Sequence, residues 1–457
     1  MYIAISILIL LLSYHLFEKA SGSMSISKLN MISFIFYVPL VLQSFIGSLL
    51  IIHKADDDPI INMFVNNVPY DIRLFGWLAV LYTMVMMPIG MLAANKLFNV
   101  KSARILLGQY INGPIVNLTS PRDSHIRFPL YVLTIISIVT ILYTYLNLKH
   151  IPWLGLFSGF DAMMLAALRE EAGNDFGGNA FIRQIFGNMM TPILAYVSYS
   201  YWKITKSKKD RIWFYVMFFM TFLILTHSLA KAPFIMFLFG FLFLTAMIEG
   251  KIKTSTLLII PTICLVLLIL IYFFIMGLTS GSTLFFKPGS GLVWRIVVTQ
   301  IVGLYGALAV FPFSHPHIDF VNTSSALSSI FGVESIEPSA KIVMRFITPE
   351  GVEQGMAGYA NSLFIGEAWA HYGIAGVLMA PFYVGFIIQL CYVTLLKQKK
   401  SPIYLAIFTF LSYKWAVASS FFYFVVNPDL MIIFIIIIST IYFAHGSYYT
   451  KRVSMKF

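Results

Sequence analysis

Charge is what this chain has least of. Only 11% of its 457 residues are Asp, Glu, Lys or Arg, too few to solvate a soluble globule of that size. Cysteine is nearly absent: Cys264 and Cys391 both fall inside apolar runs, so they build neither a disulfide framework nor a cysteine-rich metal site. No P-loop, no dinucleotide glycine fingerprint and no Asp-x-Asp pair in a cytoplasmic segment occurs, which argues against nucleotide or nucleotide-sugar chemistry on that side. His315-Pro316-His317 with Asp319 has no further ligand cluster beside it, so neither a metal nor a cofactor is expected. Nor does any repeat or low-complexity tract appear, and residues 1–457 read as a single polytopic membrane domain.

What is present is hydrophobic side chain. The chain is 59% hydrophobic and 16% aromatic, with a mean hydropathy of +0.83. A bilayer core of roughly 30 Å takes about 20 apolar residues in a helix. Runs of that order lie near 2–17, 31–52, 72–94, 128–147, 188–202, 212–228, 233–248, 254–277, 374–396, 402–424 and 430–446. The expectation is an all-α polytopic integral membrane protein with about eleven transmembrane helices. No basic stretch precedes the first run, so it is expected to be a retained span rather than a cleaved signal.

Charge sign sets the topology. Most of the 31 Lys and Arg fall in alternate segments, such as Lys96–Arg127, KITKSKKDR at 203–211 and KQKK at 397–400. Most acids fall in the others. Positive charge stays inside, so the N-terminus is expected outside and the C-terminus in the cytoplasm. The net charge of +12 is then a consequence of topology, and no nucleic-acid partner is expected.

Two outer segments are long, 148–187 and 278–373, and loops beyond about 15 residues usually carry function. The second contains an apolar run at 296–313. A full span there would break the charge alternation, so it reads as a re-entrant or interfacial helix, flanked by backbone that must line a water-filled cavity.

Several residues in or beside these segments can carry chemistry. Glu367 and His371 stand four apart at the mouth of the 374–396 run, which on a helix puts them on one face. Glu367 can serve as a general base, as an orienter of an arginine, or simply as an interfacial acid. Arg169, Arg183, Arg295 and Arg345 lie in the outer segments, Lys231 in a short outer turn, and Lys414 near mid-span. Arginine's planar fork suits phosphate, and a cation against hydrocarbon needs a reason. For Arg183 and Lys341 a plain solvated or snorkelling charge is an equal reading. Tyr359, Trp153, Trp294 and Trp369 offer faces on which sugar rings can stack.

These stretches resemble a known family. IPWLGLFSGFDAMMLAALRE after an outward span, SLAKAPFIMFLF between two spans and NSLFIGEAWAHYGIAGVL after the second long loop look like a Wzy-type O-antigen polymerase of the bacterial inner membrane. The layout is similar across the whole chain, while the motifs are loose. The resemblance implies a GT-C-like fold and a periplasmic active site. It implies transfer of a growing undecaprenyl-pyrophosphate-linked glycan onto a new lipid-linked repeat unit. Arg169, Arg183, Lys231, Arg295, Arg345, Tyr359 and Lys414 would then bind substrate or pyrophosphate. Glu367 or His371 would act as base, membrane lipids would surround it, and a chain-length regulator and a flippase are the further partners suggested. Some members carry Arg, ten residues, then Gly in both loops. Arg295 and Gly306 match that spacing, whereas Ala180 stands where Arg169 would need a glycine. Two alternatives stay open: an O-antigen ligase, which relies on a histidine, and a lipid-linked oligosaccharide flippase or transporter, which is not an enzyme.

Overall fold

The structure, a computed structural model, describes residues 1–53, 68–116, 121–155, 162–174, 176–276, 285, 291–318, 328, 331–334, 336–353, 358–439 and 442. It is about 80% helical, with no strand among the described residues. Among the described residues, seven helices are long and apolar enough to cross a membrane: Tyr2–Lys28, Met31–His53, Tyr70–Leu97, Ile126–Leu146, Ala232–Glu249, Leu363–Leu396 and Phe422–Ser439. This is an all-α membrane protein, the architecture that lets a chain satisfy its own backbone where there is no water. Helices also form at Thr191–Thr205, Lys208–Thr226 and Thr254–Met276, where further spans are expected.

The chain divides into two compact units. The first comprises Met1–Gln109, Ile269–Lys397 and Ser412–Val426. Within it, helices Tyr70–Leu97 and Leu363–Leu396 meet backbone to backbone. A Cβ added at Gly90 would lie 2.1 Å from the Phe382 carbonyl oxygen, and one at Gly385 2.0 Å from that of Met87. In a bilayer, helices are joined by such close packing and by interhelical hydrogen bonds rather than by the hydrophobic effect. The bonds are present too. Gln389 Nε2 donates to Asn95 Oδ1 at 2.7 Å and to Ala20 O at 2.9 Å, and Tyr392 Oη donates to Ser21 O at 2.8 Å. The open carbonyls at the end of helix Tyr2–Ser21 are thereby capped from other helices.

The stretch Leu363–Leu396 is two helices. Gly373 interrupts it with φ 56° and ψ −139°, a conformation that only glycine adopts freely. The chain doubles back there. A Cβ at Gly376 would sit 2.1 Å from the Ala368 carbonyl oxygen, although residues eight apart on one helix are separated by about 12 Å. The expected span at 374–396 therefore begins at the residue after the break, and residues 363–372 form a short separate helix before it.

A second break was not expected. The apolar run at 402–424 reads as one span, yet the helix Pro402–Lys414 stops at Lys414 and residues 415–421 leave the helical path. The apolar run at 296–313 contains helix Thr299–Val310, whose 12 residues reach about 18 Å against a core of roughly 30 Å. By itself that helix does not cross. Nearly all of it is buried, from Ile301 to Val310.

The second unit comprises Tyr110–Leu268, Gln398–Leu411 and Asn427–Phe457. Its helices pack through aromatic rings: Tyr196 lies 5.1 Å from Phe237 and 5.2 Å from Phe241, centroid to centroid, and donates from Oη to Phe237 O. Asp210, fully buried, accepts from Arg127 Nη1 at 3.0 Å and from Thr205 Oγ1 at 2.6 Å. Lys400 turns inward and donates to Ile111 O at 2.8 Å, capping the end of helix Ala103–Asn112. Burial holds its ammonium below the ordinary lysine pKa.

The helix contacts carry a direct test. Gly385→Ala is expected to lower the stability of the detergent-solubilised protein by about 1–3 kcal/mol through overpacking. Gly108→Ala, where nothing lies within 4 Å of an added Cβ, should leave it unchanged or raise it by up to about 1 kcal/mol. Thermal unfolding of both variants beside the wild type checks the pair. Equal effects would remove the close approach as the cause.

Candidate functional site

The two breaks meet at Glu367. Residues 415–421 expose carbonyls and amides in an apolar setting, where each unpaired group costs free energy. The N-terminal amides of the short helix take the carbonyls: Leu363 N donates to Ala418 O at 3.0 Å and Phe364 N to Val417 O at 2.9 Å. The carboxylate of Glu367 takes the amides in return. Its Oε2 accepts from Phe421 N at 2.5 Å, Ser420 Oγ at 2.8 Å and Phe422 N at 3.1 Å. All three bonds fall on one oxygen, and Oε1 makes none among the described residues.

Both ends of the short helix depart from ordinary backbone. Leu363 is fully buried with φ 44°, a left-handed conformation that costs a leucine energy. Gly373 closes the other end. Such strain persists where the surroundings over-determine it, and it gathers at functional sites.

His371 lies on the same face as Glu367, as the four-residue spacing predicts. Its ring meets Phe422 edge-on with centroids 4.5 Å apart, and it is 9% exposed. Two residues from each of them, on the other side of the helix, Trp369 Nε1 donates to Phe311 O at 3.0 Å and its ring packs on Phe75 and His317. His317 Nδ1 is 3.2 Å from Ala370 O, and its ring lies against the Gly373 break. Asp319, its companion in the sequence, falls outside the described residues.

The second long segment builds the floor beneath this helix. Ala307, Val310 and Phe311 pack with Ile318, Val343, Ala360 and Ala370 in one apolar cluster. Gly306 has a packing role, since a Cβ there would come within 2.7 Å of Val343 Cγ1. Arg295, eleven positions earlier, is exposed, and its carbonyl accepts from Gln300 Nε2 at 2.9 Å. Gln300 Oε1 accepts in turn from Asn361 Nδ2 at 2.6 Å, tying the Arg295 turn to the start of the Glu367 helix. Arg345 is exposed and donates from Nη2 to Glu337 Oε1 at 2.8 Å, with Lys341 at 3.7 Å from the same oxygen. Exposed pairs of this kind contribute about 0–1 kcal/mol and leave the guanidinium accessible. Tyr359 is 66% exposed.

The remaining sequence candidates sit elsewhere. Lys414 is the last residue of helix Pro402–Lys414, where a cation complements the negative end of the helix dipole. Its place in an apolar run has that local reason. Arg169, Arg183 and Lys231 belong to the second unit. Arg169 is exposed on helix Ala162–Asn174. Arg183 is 9% exposed and donates to Ala172 O at 2.9 Å and Gly173 O at 3.4 Å, with Phe176 4.1 Å beneath the guanidinium. It closes the end of that helix. Lys231 opens helix Lys231–Glu249, and its side chain is outside the described ones.

Sequence reasoning missed Ser420 and the amides of Phe421 and Phe422, although the Ser419-Ser420 pair interrupting an apolar run is a signal for them. It also missed Arg73, on the first turn of helix Tyr70–Leu97, 5% exposed and 5.9 Å over the Tyr70 ring. Against the next turn, Gly76 packs on Tyr305, whose Oη lies 2.6 Å from Ser48 Oγ. An arginine at the very start of the long apolar run 72–94 passes for an ordinary flank.

No protein-family model, curated protein or solved structure matches the chain.

Replacing Glu367 separates its two capacities. Glu367→Ala orphans two amides and a hydroxyl and is expected to cost about 1–3 kcal/mol or more. Glu367→Gln retains a carbonyl oxygen that can accept the same bonds and should unfold near the wild type. Thermal unfolding of the purified variants decides it. Equal losses would mean that the negative charge, rather than the acceptor, holds the turn.

Proposed function

We propose that this protein is a glycosyltransferase that joins lipid-linked oligosaccharide repeat units, acting as a polymerase on undecaprenyl-pyrophosphate-linked donor and acceptor. The observation that supports it best is the Glu367 carboxylate, anchored through Oε2 at paired helix breaks with Oε1 left over, within the stretch that carries the family resemblance. An anchored carboxylate with a spare oxygen is pre-positioned to accept a proton, and a positioned base contributes about 10²–10⁴ in rate.

In this reading the acceptor hydroxyl attacks the anomeric carbon of the growing chain. Its proton passes to Glu367 Oε1, and the bond to the pyrophosphoryl lipid breaks. Negative charge builds on the departing pyrophosphate, where guanidinium groups stabilise it. Arg295 and Arg345 are the exposed candidates beside the Glu367 helix, while Arg169 and Lys231 remain candidates on the sequence resemblance alone. Arg183, with its donors on helix carbonyls, holds its own segment together. The bacterial inner membrane, a periplasmic site, an N-terminus outside and a C-terminus inside belong to the same proposal, as do a GT-C-like layout and about eleven spans.

A second reading has an observation of its own. Paired broken helices that satisfy each other's ends are also how transporters build a substrate site, and the breaks at Gly373 and residues 415–421 are of that kind. A ligase would share the donor and lean on His371.

Surface glycolipid from a strain lacking the gene separates the polymerase from the other two. Loss of the polymer ladder with retention of core plus one repeat unit is the expected result, restored by wild type and not by Glu367→Gln or Arg295→Ala. Core alone would point to a ligase or flippase and end the polymerase reading. A full ladder from Glu367→Gln would keep the polymerase and remove this base.

A further inference from the structure

Within the first unit, at the C-terminal ends of helices Tyr2–Ser21 and Tyr70–Leu97, lies a cavity of about 590 Å³ lined by Glu18, Lys19, Asn95, Lys96, Lys101 and Arg104, with Ser102 and Gly22 at its wall. The cations outnumber the acid, and Lys19, Lys96, Lys101 and Arg104 form no ion pair among the described residues. The wall is built rather than incidental. Gly22, at φ 85°, lets the end of the first helix touch the backbone of Ala103 and Arg104, and a Cβ there would come within 2.6 Å of the Ala103 carbonyl. That contact fixes the start of helix Ala103–Asn112 at the cavity, and helix starts present free amides to anions. Ser102 Oγ accepts from Ile105 N at 3.4 Å, leaving the amides nearer the start open.

The lining is amphipathic. Leu92 and Val100 share it with the cations, and Leu97 and Ile105, each the neighbour in sequence of a lining cation, are 65% and 60% exposed. A soluble phosphate has no use for exposed leucine and isoleucine, whereas a phospholipid sets its acyl chains beside its headgroup. The charge bias assigns this end to the cytoplasmic leaflet, and basic pockets between helices on that side suit anionic headgroups.

We propose that this cavity is a binding site for the phosphate headgroup of an anionic phospholipid of the inner leaflet. Lys96 closes on the phosphate from helix Tyr70–Leu97, Lys101 from the turn after it, Arg104 from the start of helix Ala103–Asn112 and Lys19 from helix Tyr2–Ser21. The site is separate from the Glu367 breaks and stands or falls without the transferase reading.

The test uses the full chain in detergent, with thermal unfolding and native mass spectrometry as readouts. Phosphatidylglycerol, phosphatidylcholine and inorganic phosphate are the probes. All four cations are exposed, so glutamine in their place should not disturb folding. Phosphatidylglycerol is expected to raise the melting temperature and to be retained in the mass spectrum. Combined Lys96→Gln, Lys101→Gln and Arg104→Gln should weaken that binding by well over tenfold, about fivefold per cation. Lys399→Gln, a cation outside the cavity, should not. If the combined variant folds poorly, Lys101→Gln alone carries the test through its own fivefold loss. Equal retention of phosphatidylcholine, equal loss with Lys399→Gln, or an inorganic-phosphate effect as large as that of the lipid would each overturn the proposal.

Discussion

Backbone left without a partner in hydrocarbon is the constraint around which the first unit is arranged. Two helices stop short, one at Lys414 and one at Gly373, and each break would be untenable alone. The short helix from Leu363 to Tyr372 resolves both. Its first amides reach the carbonyls of Val417 and Ala418, and its carboxylate reaches the amides of Phe421 and Phe422. A single buried glutamate thus does for an interrupted helix what a cap does at a helix end on a surface.

The consequence for chemistry is that the acid cannot wander. Its Oε2 has three donors, the helix bearing it is closed by a strained leucine and a glycine break, and the floor below is an apolar cluster built on helix Thr299–Val310. Preorganisation of this kind is what a transferase needs of a base, and what a transporter needs of a substrate site. The proposed polymerase activity rests on the family likeness of the surrounding sequence together with this geometry. The basic cavity near Lys96 stands on a different footing, since its ligand chemistry follows from the charge and the amphipathic lining of the cavity.

Hydropathy was enough for the all-α membrane architecture. Long apolar runs favour helices in a membrane, and most of the helices lie where the runs lie. The spacing of Glu367 and His371 was enough to place them on one face, because that relation is local to a helix.

What the sequence could not show is everything that depends on a distant partner. The run from 402 to 424 is apolar enough to read as one span, and Lys414 and the Ser419-Ser420 pair are the only local hints of a break. The break is stable because Glu367, some fifty residues earlier, receives its amides. Arg183 reads in the sequence as an outer-loop cation with a choice of roles, and packing makes it the cap of a neighbouring helix. Gly306 looks like half of a motif, and the structure gives it Val343 to pack against. The sequence by itself determined a helical membrane protein with its acid and imidazole on one helix face. The tertiary structure decided which polar groups are spent on holding the chain together and which remain to meet a ligand, because hydrogen bonds across tens or hundreds of residues leave no periodic trace in the sequence.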